Sequence, residues 1–544
     1  MTNPSTNLIS SRKMEKIKIL VADPISPKGI EYLKKNPAFD VETRVGLSEG
    51  ELAAIIPSYH AILIRSETKI RSSLIQVAEQ LRVIGRAGVG IDNVDVPAAT
   101  ARGIVVMNTP VGNTISTAEH AFSLLMSLAR NIPQAHLSMT KGEWDRKSFQ
   151  GVELKDKTLG IIGVGRIGSE VAKRAQVFGM RVIAYDPFLT HARAQILQIE
   201  LFETLEEMLP QADFITLHVP GTPETMNLLD AKRLACCKKG ARLINCARGG
   251  LINEEALLQA IDSGHIAAAA LDVFTIEPLP QNSPLRSHPK IILTPHLGAS
   301  TQEAQENVGL EIAEAVEAYL LHGIIRNAVN MPNVEARALA VLKPYIQAAT
   351  RLGYLVEQLT PHRLDAVKIH YSGKVNEHDT TPITRAALKG LLLTAGGTSV
   401  NEVNVLHLAD NLGLKWSEHK NNDDEEYKDL ITLEAIFGKE HLSVAVAIFG
   451  NRPRIVRVND RNLEAALDGK LLVIENRDRP GIIGWLGTIL GRHHINIASM
   501  ALGRAEPGSR ALSILHLDSV PSTDALQEIA QDKDIYSVKF IDLR

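Results

Sequence analysis

Glycines stand at 163, 165 and 168 in Gly163-Val-Gly165-Arg-Ile-Gly168, directly after the apolar run Thr158–Ile162. At that spacing the first glycine permits a tight turn, the second lets a pyrophosphate approach the backbone, and the third lets a helix pack on the strand. The helix that opens there offers free N–H groups and its positive dipole end to phosphates. Eighteen residues after Gly168, Asp186 closes the next strand, RVIAY. A carboxylate there accepts bonds from both ribose hydroxyls and repels a 2′-phosphate, which favours NAD over NADP. The plainer reading is a glycine turn with a chance acid behind it.

Three further residues suit hydride chemistry. Arg248 follows the strand LINCA, His296 follows IILTP, and Glu277 sits in FTIEP, nineteen residues before His296. A histidine gives and takes a proton near neutral pH. A neighbouring carboxylate orients it and holds its charged form. An arginine forks onto a carboxylate and polarises a carbonyl. Taken singly, each has an ordinary reading: a surface arginine in a salt bridge, a satisfied core histidine, a solvated loop acid. Together they are the working set for hydride exchange with a 2-oxo acid. Other strand ends carry polar or glycine-rich tails, at His218-Val-Pro220, Cys246 to Gly250, Asp272, and Pro295 to Gly298. Ligands of open α/β sheets sit at such ends. Nearer the start, Arg65-Ser66 and Arg86-Ala-Gly88 also follow strands. Two arginines beside glycine turns suit a substrate with two anionic ends, or serve as scaffold.

The elements that must position these residues alternate. Short apolar runs and amphipathic stretches follow one another from Ile17 to about residue 108, and again from Thr158. That rhythm predicts α/β units with parallel, helix-covered sheets. Apolar spacing predicts one long helix over Ser116–Ala135 and another over Thr301–Leu321, the second returning the chain to the first unit. After Met331 the texture changes. The run NNDDEEYKD, 421–429, reads as an acidic solvated loop or face. Arg452, Arg454 and Arg457 form either a site for an anionic effector or a solvated basic edge strand. From Lys470 the order reads β-α-β-β-α-β, which is ferredoxin-like.

A chain of 544 residues exceeds what one core organises, so three or four domains are expected. The net charge of −3 and the 4% aromatic content speak against a nucleic-acid coat. No apolar run is long enough to cross a bilayer. The first thirteen residues are polar and read as a flexible tail, with a transit-peptide fragment as the other reading. Cys236, Cys237 and Cys246 have neither a disulfide framework nor zinc spacing, so no metal and a reducing, cytoplasmic setting are expected.

GVGRIG, Asp186, NCARGGLINEEAL, LDVFTIEP and TPHLGAST together resemble the D-isomer-specific 2-hydroxyacid dehydrogenases over residues 15–330. The resemblance implies that Arg248, Glu277 and His296 are catalytic. It also implies NAD contacts from Val89, Gly163, Gly165, Arg166, Ile167, Gly168, Asp186, His218, Val219, Pro220, Cys246, Ala247, Arg248, Asp272, His296, Gly298 and Ala299. RAGVGIDN, MNTPVGN and STAEHA look like the members that oxidise 3-phospho-D-glycerate to 3-phosphohydroxypyruvate at the start of L-serine synthesis. That implies substrate contacts from Arg65, Ser66, Arg86 and Gly88 with Arg248 and His296. Lys141-Gly-Glu-Trp144 matches a segment near the family's dimer contact, so Trp144 packs on a partner or caps its own core.

ENRDRPGIIGWLGTILGRHHINIASM resembles an ACT domain. This implies that Asp478 and Asn496 hold an amino-acid effector, L-serine, across a paired interface. An oligomerisation module without ligand is the alternative, because the residues near Asn476 depart from the aromatic or histidine of other members. The resulting expectation is a substrate-binding domain (15–112 and 302–330), a Rossmann NAD domain (113–301), an α+β intervening domain (331–468) and a ferredoxin-like ACT domain (470–544). The whole is a homo-oligomer, dimer or tetramer, without nucleic-acid or membrane partners. Competing expectations are a glycerate or hydroxypyruvate dehydrogenase of the same family, and a non-enzymatic NAD-sensing protein of corepressor type.

Overall fold

A computed structural model describes residues 16–332, 336–360, 363–394, 400–421 and 427–543. Among them the strands form four sheets. The first is parallel, with Ile17–Val21 between Phe39–Thr43 and Ala61–Ile64, followed by Val83–Arg86 and Val105–Met107. Where both faces are covered the strands are apolar runs, and all four residues of Ala61–Ile64 are buried; the edge strand Phe39–Thr43 carries Asp40 and Glu42. The helix Gln302–His322 packs on this sheet and crosses Pro27–Lys34 at glycine against glycine, where a Cβ on Gly29 would stand 2.2 Å from the Gly309 carbonyl oxygen.

The second sheet has seven parallel strands. From Thr158–Ile162 the chain winds outward through Arg181–Tyr185 to Glu200–Phe202. It then returns to the other side of its first strand and winds through Phe214–Leu217, Ala241–Asn245, Ile266–Leu271 and Ile291–Leu293. The expected single helix over Ser116–Ala135 is instead two, Thr114–Arg130 and Ile132–Thr140. Asn131 takes the left-handed conformation (φ 51°, ψ 36°) and Pro133 has no N–H to continue the ladder. Apolar spacing runs across that break and does not register it.

The third sheet is mixed. Lys415–Asn421 lies parallel to Ala366–Gly373, and Asp429–Phe437, Glu440–Phe449, Arg452–Val458 and Arg461–Ala466 continue it antiparallel. The expectation of a basic edge strand is therefore corrected: Arg452, Arg454 and Arg457 lie on an inner strand, because Arg461–Ala466 pairs outside it. Most of the acidic run at 421–429 lies outside the described residues. The helices Ala336–Leu359 and Thr381–Leu392 cover one face.

The last sheet has the order expected of β-α-β-β-α-β, with Ile497–Arg504, Arg510–Leu517, Gly469–Arg477 and Ile535–Leu543 side by side and antiparallel. One face (Leu472, Ile474, Leu515, Leu517) packs on its own helices, Ile482–Arg492 and Thr523–Ala530. The opposite face (Leu471, Val473, Leu512, Ile514, Ile541, Leu543) joins the core of the third unit. There the Lys539 ammonium donates to the carbonyls of Gln358 and Leu359, both at 2.9 Å, at the end of Ala336–Leu359. The fold is α/β as read, with an added ferredoxin-like module.

Candidate active site

The second sheet reverses its winding between Thr158–Ile162 and Phe214–Leu217, and such a reversal opens a crevice at the carboxyl ends of the two strands. Gly163 turns there with φ 91°, and a Cβ on it would stand 2.7 Å from the His218 carbonyl oxygen. A Cβ on Gly168 would meet the Gly163 carbonyl oxygen at 2.2 Å. A Cβ on Gly165 would meet nothing within 4 Å, so its backbone borders open space at the start of the helix Arg166–Val177. This is the shape a pyrophosphate needs. Asp186 stands beside the turn, accepting from the Val164 and Phe188 amides, each at 2.8 Å.

A cleft of 550 Å³ opens from this turn. Of the residues expected to touch the cofactor, Val89, Gly165, Arg166, Ile167, His218, Val219, Pro220, Cys246, Ala247, Arg248, His296, Gly298 and Ala299 line it. Gly163 and Gly168 shape the turn from behind. Asp272 stands behind the cleft wall with no exposed surface. Its carboxylate accepts from the Thr294 hydroxyl at 2.6 Å and from the Leu297 and Gly298 amides at 2.7 and 2.9 Å. His218 presents a neutral ring, since burial pushes its pKa down to about 4, and its buried Nδ1 has no hydrogen-bond partner among the described residues.

Arg248, Glu277 and His296 are brought together as their types predict. The His296 ring holds Glu277 through Nδ1 at 2.7 Å, which leaves Nε2 for a ligand. Glu277 also accepts from the Phe274 amide at 3.0 Å. Burial opposes ionisation of Glu277, but the bonds from His296 and Phe274 outweigh it and hold the carboxyl below the ordinary range. His296 itself lies in the left-handed region, with φ 56°. A histidine is held there when its surroundings over-determine it.

Arg248 reaches across to the first unit. Its Nε lies 3.2 Å from the Asp92 carboxylate, and a Cβ on Gly90 would stand 2.1 Å from its Nη2. Arg86 approaches from that side. Its guanidinium is largely buried, and a Cβ on Gly88 would stand 2.1 Å from its Nη1. Burial, then the like charge of Arg248, push the Arg86 pKa down to about 10, and its Nε has no partner among the described residues. A buried cation beside another cation is costly unless an anion joins it. Arg65 completes the group on a loop held by its amide on the buried Asp23 at 2.6 Å and by the Asn93 side chain on its carbonyl at 2.7 Å. Ser66 is exposed beside it.

The strand-end glycines are also structural. A Cβ on Gly249 would stand 1.8 Å from the Phe274 carbonyl oxygen, so the Arg248 turn and the Glu277 loop touch through backbone alone. Gly249→Ala is expected to destabilise by about 1–3 kcal/mol, as overpacking does, and a lowered calorimetric midpoint checks it.

Within one chain the two tail residues have separate partners. Asp478 accepts from Arg504 at 2.7 Å and from the Gly508 amide at 3.1 Å, while Asn496 donates to Asp518 at 2.7 Å. Trp144 is 77% exposed, so it does not cap its own core. Missed from the sequence were Asp23, Thr294 and His120, which hold the loops that carry the functional groups. Asp23 had a signal, standing just past the carboxyl end of Ile17–Val21.

Residues 122–298 match the model described as D-isomer specific 2-hydroxyacid dehydrogenase, NAD binding domain. Residues 341–459 match the D-3-phosphoglycerate dehydrogenase intervening domain, and 470–534 an ACT domain. Over 544 residues the chain is 44% identical to a D-3-phosphoglycerate dehydrogenase of Synechocystis sp., covering 99% of this chain and 98% of that one. It is 42% identical to that of Bacillus subtilis, covering 97% and 99%. Among solved structures, the TT0316 protein of Thermus thermophilus aligns with a TM-score of 0.53 at 35% identity, over 57% of this chain and all of its own. A D-lactate dehydrogenase of Aquifex aeolicus, complexed with NAD and lactic acid, aligns at 0.52 and 26%, over 58% of this chain and 100% of that one. With the NAD-binding domain and both tail modules each matched by a family model, and with such relatives matched over nearly their whole length, the chain belongs to the D-3-phosphoglycerate dehydrogenases of the D-isomer-specific 2-hydroxyacid dehydrogenase family.

Proposed function

We propose that the chain catalyses the NAD-dependent oxidation of 3-phospho-D-glycerate to 3-phosphohydroxypyruvate, the first step of phosphorylated L-serine synthesis. The observation that carries this reading is the largely buried Arg86, whose Nε has no partner among the described residues, close enough to Arg248 to feel its charge, while Arg248 lines the same cleft as His296. A substrate with a carboxylate at one end and a phosphate at the other satisfies both cations.

NAD, bound along the glycine turn, supplies the hydride acceptor. His296 takes the C2 hydroxyl proton through Nε2, and Glu277 fixes the ring and supports its charged form. Arg248 holds the carboxylate and polarises the forming carbonyl. Arg86 and Arg65, with Ser66 and Gly88, face the phosphate end. Asp186 takes the adenosine ribose and excludes a 2′-phosphate.

The division of labour follows the sheets: substrate binding over 15–112 and 302–330, NAD binding over 113–301, an intervening domain over 331–468 and the ACT domain over 470–544. The ACT domain takes an amino acid, L-serine, through Asp478 and Asn496 in a homo-oligomer. The exposed Trp144 supports a subunit contact in that assembly. A cytoplasmic setting agrees with three free cysteines. No helix among the described residues is long and apolar enough to cross a membrane.

The test follows NADH absorbance with 3-phosphohydroxypyruvate and with unphosphorylated hydroxypyruvate. Charge-assisted bonds to the phosphate are worth about 1.5–3 kcal/mol each, so kcat/KM is expected to favour the phosphate ester by about 100-fold. Equal or better use of hydroxypyruvate would make the chain a glycerate or hydroxypyruvate dehydrogenase. No oxidation of NADH by the pure protein would remove the enzyme reading altogether.

A further inference from the structure

We propose that His120, on the helix Thr114–Arg130 that leads the chain from the first sheet to the second, is a positioning residue for proton transfer by His296. The inference rests on the assignment of His296 as the group that takes the hydroxyl proton.

His120 does not line the cleft. Its Nε2 lies 3.1 Å from Asp272 Oδ1 and 3.2 Å from the Thr294 hydroxyl. Those two residues bracket the catalytic turn. The Asp272 carboxylate accepts from Thr294, two residues before His296, and from the amides of Leu297 and Gly298, just after it. The His296 amide itself donates to the Asp272 carbonyl at 2.9 Å. The same helix grips the turn a second time, one helical turn earlier: the Ser116 and Thr117 hydroxyls donate to the Gly298 carbonyl at 2.9 and 3.1 Å. Three side chains of one helix thus clamp the segment 294–298.

The clamp has something to resist. His296 sits at φ 56°, a conformation that costs energy for a residue with a Cβ and persists when several contacts enforce it. Asp272 is the centre of that enforcement, and it is a wholly buried carboxylate. Burial alone favours its neutral form; the His120 bond is the largest opposing influence, and the net effect keeps Asp272 below the ordinary range. A protonated Asp272 would turn one acceptor oxygen into a donor, facing amides that also donate. His120 therefore keeps Asp272 an acceptor on every side. Cys246 lies in the same cluster, its sulfur within 4.8 Å of the His120 and Asp272 ligand atoms. Burial raises that thiol well above its usual range, so it stands there as a neutral group beside Asp272.

The experiment compares His120→Leu with His120→Gln in the full chain, using NADH and 3-phosphohydroxypyruvate. Leucine removes the Nε2 contact, while the glutamine amide reaches the same place and still donates. A displacement of about 1 Å at a reacting group costs on the order of 100-fold, so His120→Leu is expected to lose about 100-fold in kcat. NADH affinity by fluorescence and the melting midpoint are expected to stay near those of the unmodified protein, and His120→Gln to recover most of the loss. An unchanged kcat in His120→Leu, a glutamine variant no better than leucine, or an equal loss in NADH affinity overturns the proposal. Should His120→Leu fail to fold, His120→Asn carries the test against His120→Gln, because asparagine is too short to reach Asp272; equal kcat values then overturn it. The His296→Ala variant separates the two levels. If that variant keeps its turnover, the underlying assignment fails. If it loses turnover while His120→Leu does not, this inference alone fails.

Discussion

Replacing His296 with alanine is expected to lower kcat by about 10²–10⁴-fold, the range a positioned general acid–base supplies. The loss falls on turnover rather than on cofactor binding. His296 stands at one end of the cleft, held by Glu277 through Nδ1 at 2.7 Å, whereas the pyrophosphate cradle is built from Gly163, Gly165 and Gly168 after another strand. Steady-state NADH absorbance measures the first quantity and fluorescence titration of NADH the second. A variant that keeps its turnover sinks the proton-transfer assignment. Glu277 adds a pH signature. Its pKa is held below the ordinary value despite burial, by the bonds from His296 and the Phe274 amide. Its folded-state pKa is thus depressed, so its support of His296 is fully present above the ordinary glutamate range and is lost only as pH falls through the lowered value.

The second large effect is at Arg248. Arg248→Ala is expected to lower kcat/KM by about 10²–10³-fold, comparable with removing one donor that stabilises developing charge on oxygen. Arg248→Lys is expected to recover little of this, because an ammonium cannot reproduce two parallel bonds to a planar carboxylate. The neighbouring Arg86 offers the contrast. It closes a strand of the first sheet, and on the proposed reading it faces the phosphate end, so the same truncation there is expected to act on KM for the phosphorylated substrate more than on kcat. A lysine variant of Arg248 with full activity would mean that the residue contributes only charge.

The chemistry of this chain was unusually legible, because most of it is written locally. A strand, a glycine turn and a helix are adjacent in sequence, so GVGRIG specifies its own geometry. Arg248 and His296 each close a strand of the same parallel sheet, and all such ends point to one edge. What escaped depends on partners far along the chain. Asp272 also closes a strand, and nothing nearby in sequence says that Thr294, Leu297 and Gly298 will wrap it until no surface is left. The arginines of 452–458 look like an edge because their alternation is polar. Whether a strand is edge or interior is decided by pairing, here with Arg461–Ala466. The break at Asn131 is a dihedral event that a count of apolar positions passes over.

The last sheet has apolar side chains on both faces, one against its own helices and one against the core of the unit before it. That makes it a filling rather than a pendant. A cut after Asp468 would remove Leu471, Val473, Leu512, Ile514, Ile541 and Leu543 from that shared core and leave a greasy wall open to solvent, inviting chains to stick to each other. A cut near Met331 leaves no such wound in this core, since the third and fourth sheets depart together. Whatever an effector does to the final module is felt at once by the layer beneath it, because the two share one interior.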